Sequence, residues 1–88
     1  MLLDARQFTD ATTLDTDVCI VGAGPAGLVL AAELAGRCDV IILESGGDRA
    51  EPEVQVLNDG DLIGDEYAGL SATRHRQVGG TSHLWNTP

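Results

Sequence analysis

Six residues, Gly22-Ala23-Gly24-Pro25-Ala26-Gly27, constrain what this chain can fold into more than any others. A short apolar run, 18–21, comes just before them; it is rich in β-branched residues and too brief for a helix, which predicts a buried parallel strand. Residues 25–35 are rich in Ala and Leu, which predicts a helix. Pro25 suits its first turn, where no N–H is needed, and Gly36 is a good stop. A second apolar run, 40–43, ends in Glu44. The expected order is strand, glycine turn, helix, strand, with an acid at the second strand's tip.

Each of these positions has a physical reason. A first glycine permits a tight turn, a second lets the backbone approach a pyrophosphate, and a third lets the helix pack close to the strand. The helix N-terminus carries unpaired N–H groups and partial positive charge, so it attracts a phosphate. Glu44 lies 22 residues after Gly22, near the ~20 at which a carboxylate accepts from a ribose hydroxyl. It would repel a 2′-phosphate, so an NADP-like ligand is disfavoured. The glycines alone are a weak signal, and a turn that merely joins strand to helix is the plain alternative. Glycines, both strands, helix and acid together point to dinucleotide binding.

The fold class expected is therefore α/β: a Rossmann-like βαβ dinucleotide-binding unit with an irregular, glycine-rich C-terminal extension. Within the helix, Leu28, Ala31, Ala32 and Ala35 fall at i, i+3, i+4 and i+7 and predict the face turned to the sheet. Glu33 and Arg37 are spaced for a surface ion pair. Two strands and a helix make a poor core, and a dinucleotide-binding sheet normally has more strands. With 88 residues there is room for one small domain, and the expectation is an incomplete one: the N-terminal piece of a larger protein, or a chain that leans on a partner. Residues 1–16 read as a polar surface leader, with Phe8 and Leu14 able to tuck against the sheet, and residues 17–88 as the N-terminal part of the binding domain.

The formal net charge is −9, from 5 Arg, no Lys and 14 acids. That argues against nucleic acid or an anionic membrane as partners. Cys19 and Cys38 form neither a metal-ligand spacing nor a disulfide framework. Cys19, inside the first strand, is expected as a buried small hydrophobe, and Cys38 as a free thiol. Free thiols suit a reducing compartment. No apolar run approaches the ~18 residues of a membrane span, and the N-terminus lacks the features of a signal peptide. The expected location is the cytoplasm.

Beyond Glu44, Ser45 offers a hydroxyl, and Gly46-Gly47 would let the chain turn away and leave room for an adenine or ribose. Residues 49–73 show little periodicity; Asn58-Asp59-Gly60 and Gly64-Asp65 are turn signals, and Val54, Val56 and Leu57 a brief packed segment. Tyr67 and Leu70 read as packing residues. The stretch 74–88, RHRQVGGTSHLWNTP, is the second informative one. Gly79-Gly80 followed by Thr81-Ser82 is expected to offer free N–H groups and two hydroxyls to anionic oxygens or a heterocycle edge. Arg74 and Arg76 bring positive charge beside it, Trp85 lies close by, and His75 reads as a solvated side chain.

Together VGAGPAG, LESGG and RHRQVGGTSHLW resemble the N-terminal part of the glucose–methanol–choline (GMC) oxidoreductases, FAD-dependent enzymes that oxidise alcohols and sugars. The resemblance covers 17–88, loosely in its middle third. It implies FAD as cofactor and an alcohol or sugar as substrate. It implies that Gly22, Gly24, Ala26 and Gly27, with Pro25 in the same turn, hold the pyrophosphate, and that Glu44 holds the adenosine ribose, next to the Ser45 hydroxyl. It implies that Arg76, Gly79, Gly80, Thr81 and Ser82 approach the flavin half. Some members attach the flavin through a His in this loop; here His83 stands one step early, with Leu84 between it and Trp85, and Asn86 only loosely matches an Asn that follows the glycine pair in many members. The family's catalytic His lies near a distant C-terminus, so these 88 residues are expected to bind FAD and to be inactive alone. A segment of another FAD- or NAD-dependent reductase, and a non-catalytic nucleotide-binding module, are the competing readings.

Overall fold

The computed structural model describes residues 1–64 and 69–84. Strand β1 is Val18–Val21, helix α1 is Pro25–Leu34 and strand β2 is Val40–Leu43. The strands pair in parallel, with Val18 opposite Val40 and Val21 opposite Leu43. Both runs therefore form the parallel strands that their composition predicts, although only Ile20 among their residues is buried, and α1 packs on them. Pro25 sits in the first turn of α1. Gly36, with φ +83°, ends the segment in a left-handed conformation that a side chain would resist.

The inner face of α1 is not the one the apolar pattern predicts. Among its residues, Gly27, Ala31 and Leu34 are shielded, while Leu28, Ala32 and the C-cap Ala35 just past its end are exposed. The face is centred on a glycine. A Cβ on Gly27 would lie 2.1 Å from the Gly22 carbonyl oxygen and 3.3 Å from Ile20 Cγ2. Close approach of helix to strand thus selects this face, and apolar periodicity cannot register a residue without a side chain. Nor do Glu33 and Arg37 form an ion pair: the helix stops at Leu34, so Arg37 lies beyond it.

Burial on β1 alternates. Ile20 is 8% exposed beneath α1, whereas Val21, on the opposite face, is 84% exposed. Cys19 shares that open face and is exposed, which corrects the expectation of a buried thiol. The cause is that the described sheet has two strands and helix cover on one side only. Cys38 is a half-buried free thiol.

The leader carries one short 3-10 turn, Ala5–Gln7, whose N-cap Asp4 accepts from the Arg6 N–H. Phe8 and Leu14 stay largely exposed but line an open groove of about 1060 Å³ that continues past Leu28 and Ile42 to Ala23 and Glu44. After β2 the chain forms α2, Pro52–Gln55, a 3-10 turn, Val56–Asn58, and α3, Leu70–Thr73. Val54 is half-buried, while Val56 and Leu57 stay exposed. A final 3-10 turn spans Gly80–Leu84. No described helix is long and apolar enough to cross a membrane. Tyr67, Trp85 and Asn86 lie outside the described residues.

Candidate functional site

The site is built where β1 gives way to α1. Gly22 has φ +104° and donates its N–H to the Leu43 carbonyl at 2.7 Å, so the turn begins while still tied to β2. Gly24 is the N-cap of α1, with no side chain capping the helix. A Cβ on Gly24 would meet nothing within 4 Å. The three glycines thus differ in their surroundings. Gly22 supplies a positive φ and Gly27 a tight packing contact, while Gly24 faces open space at a helix N-terminus, where N–H groups and the helix dipole favour an anion.

Glu44 completes this corner. One carboxylate oxygen accepts from the Ala23 N–H at 2.9 Å, and the other from the Gly46 N–H at 2.9 Å. The carboxylate therefore bridges the turn after β1 and the turn after β2, and it is half-buried. An ionised carboxylate has about four acceptor positions, so two remain for hydroxyl donors. Ala23, at 4% exposure, is the most buried residue of the turn.

The second glycine pair lies on this corner, and it does so differently from the sequence expectation. Gly79 donates its N–H to the Ala23 carbonyl at 2.7 Å, Gly80 to Gln77, Ser82 to Gly79, and Val78 to Gly47 at 2.8 Å. The N–H groups of Gly79, Gly80 and Ser82 are thus committed to protein carbonyls and are not free for an anion. The hydroxyls are engaged as well: Ser82 Oγ donates to the Gly79 carbonyl, and Thr81 Oγ1 accepts from the His75 N–H at 3.4 Å. Gly80 and Ser82 thus use their donors within the stretch, and Val78 and Gly79 use theirs on the turns after β2 and β1.

The space beside Gly46 is likewise filled. A Cβ there would lie 1.7 Å from the Arg76 carbonyl oxygen, so residues 76–77 occupy the room that the sequence reading reserved for adenine or ribose. Gln77 itself is 5% exposed. Arg76 is held on the β2 side of the corner. Its N–H donates to Gln55 Oε1 at 3.1 Å, Nε to Asn58 Oδ1 at 2.8 Å and Nη1 to Ser45 Oγ at 3.0 Å. Gln55 and Asn58 also donate to the Arg74 carbonyl. Neither was singled out from the sequence. Pro52, as a helix-start signal, would have put them three apart on one helical face.

His75 is partly buried, and its Nδ1 has no hydrogen-bond partner among the described residues, which corrects the expectation of a solvated side chain. His83 falls within the final 3-10 turn.

Strand, glycine turn, uncapped helix start and facing carboxylate make this a candidate site for a phosphorylated, ribose-bearing ligand. The FAD binding domain family model matches residues 15–60, more than half of the chain and all of β1, α1, β2 and Glu44, and the chain belongs to that family. FAD is accordingly its cofactor, and the segment is that of a flavoprotein. Comparison with curated proteins and with solved structures gave no match.

Proposed function

We propose that this chain is the FAD-binding part of a flavin-dependent oxidoreductase of the GMC type, acting on CH–OH groups of alcohols or sugars. In this reading 18–44 is a Rossmann-like unit, 1–16 a leader and 17–88 the N-terminal part of the binding domain. One observation carries it: the open side of Gly24 at the start of α1 shares a turn with a carboxylate whose spare acceptors suit a ribose. Gly22, Gly24, Pro25, Ala26 and Gly27 hold the pyrophosphate by backbone approach. Glu44 takes the adenosine ribose hydroxyls, with Ser45 beside it.

FAD, when bound, supplies the hydride acceptor, and the protein supplies orientation and electrostatics. The base that removes the substrate's hydroxyl proton belongs to the rest of the protein. A chain this acidic fits neither nucleic acid nor anionic lipid as a partner, and two unpaired cysteines suit the cytoplasm.

A second reading has an observation in its favour. The match to the FAD binding domain model ends at residue 60, short of the RHRQVGGTSHLW stretch that carries the GMC likeness. That favours a different flavin-dependent oxidoreductase. In the intact protein, anaerobic bleaching of the flavin by alcohols or sugars supports the GMC reading; bleaching by a reduced nicotinamide and by no alcohol or sugar contradicts it. Flavin absorbance before and after acid precipitation tests the shared part, FAD binding, and also reports whether the link is covalent.

A further inference from the structure

The geometry points to a new role for residues 76–80, resting on the FAD reading above: they are a backbone strap that positions the ADP socket, with Gly79 and Gly80 as positioning residues that do not themselves touch the flavin. The strap is anchored at both ends of the corner. At one end, the Gly79 N–H holds the Ala23 carbonyl at 2.7 Å, between the first two glycines of the turn. At the other, the Val78 N–H holds Gly47, and Nη1 of Arg76 holds Ser45 Oγ, beside Glu44. Glu44 joins the same two turns from within.

Glycine is required at both contact points. Gly79 and Gly80 have φ of +90° and +58°, where a side chain is strained. A Cβ on Gly80 would sit 3.1 Å from Gly24 Cα, tighter than ordinary van der Waals contact. Gly80 therefore lies close behind Gly24, with no room for a side chain between them, while the side that a Cβ on Gly24 would enter is open. Moving the strap by a few tenths of an ångström moves Gly24 and Ala23 relative to Glu44, and so spoils the fit to phosphate and ribose together. A ligand that spans the two turns, in return, stabilises the strap.

The test separates this role from contact with the flavin. ADP and FAD are titrated into the apoprotein of the intact chain and of its Gly80→Ala variant. A strap behind the ADP socket predicts that both ligands lose affinity by the same factor, about tenfold, for a strain of roughly 1–2 kcal/mol in the left-handed region. A loss confined to FAD overturns the proposal, because the glycines would then serve the flavin half; unchanged ADP affinity also overturns it. A wild-type protein that binds neither ligand sinks the FAD reading itself, and the strap with it. Should the variant fail to fold, hydrogen exchange on the wild type decides. Saturating ADP should slow exchange at the Gly79 amide, and an unchanged or faster rate would refute the coupling.

Discussion

Gly24 and Gly27 stand three residues apart and lack side chains for opposite reasons. Beside Gly27 there is no room: a methyl group would run into the Gly22 carbonyl. Gly27→Ala should destabilise the fold by about 1–3 kcal/mol, the cost of overpacking a tight contact, measured by urea denaturation of the intact protein. Beside Gly24 there is empty space. Gly24→Val should leave the fold in place and abolish flavin retention, read as loss of flavin absorbance in the purified protein. Wild-type flavin content in that variant would contradict the pyrophosphate role. Glu44→Gln should weaken ADP binding and cost about 1–3 kcal/mol, because an amide NH₂ would then face one of two backbone donors and leave it unpaired; equal affinity in variant and wild type would refute this. The spacing of glycines and acid was legible in the sequence because motif and backbone geometry are tied together locally. The engagement of Gly79, Gly80 and Ser82 was not, because whether an N–H is free depends on which carbonyl the fold brings to it.

At the scale of elements, β1, α1 and β2 were legible because two short β-branched runs flank a Pro-started, Ala-rich segment. The inward face of α1 was not, since its central residue is a glycine. The helical turns at 52–58 were hidden among turn residues, although Pro52 marked their start. The 3-10 turn at Ala5–Gln7 is held by polar groups. The Asp4 carboxylate caps it and binds the Arg6 side chain at 2.8 Å. The hydrogen bonds from Arg6 lower the Asp4 pKa from 3.8 to about 2. A depressed carboxylate pKa stabilises above the unfolded value and ceases to do so as pH falls through the folded one. The cap should therefore be complete above about pH 4 and lost as pH falls to about 2. A carboxyl NMR titration of Asp4 checks it, and a midpoint at the ordinary value would show that the cap does not form in solution.

For the molecule as a whole, the described apolar core reduces to Ile20 and Ala23, while large side chains such as Val21, Val29 and Leu43 face outward. So small a core cannot support a cooperative transition, because burial must offset a chain-entropy cost of roughly 1–2 kcal/mol per residue. The 88-residue chain alone should give a broad, weak calorimetric signal. A sharp two-state peak would show that the open sheet face is not the weakness it looks. Composition and the expected strand count made this thin core legible; which strand face would be left bare depends on the side α1 takes.

The bond between Gly79 and Ala23 joins positions 56 residues apart, and that distance orders events in time. On a ribosome adding roughly 5–20 residues per second, the first turn emerges seconds before its brace exists. Strand and helix can meet early, but the corner between Gly24 and Glu44 reaches its final shape only after the last quarter of this sequence has left the exit tunnel. Non-local closures of this kind also come late in refolding. Flavin capture should therefore follow folding of the βαβ unit and not guide it.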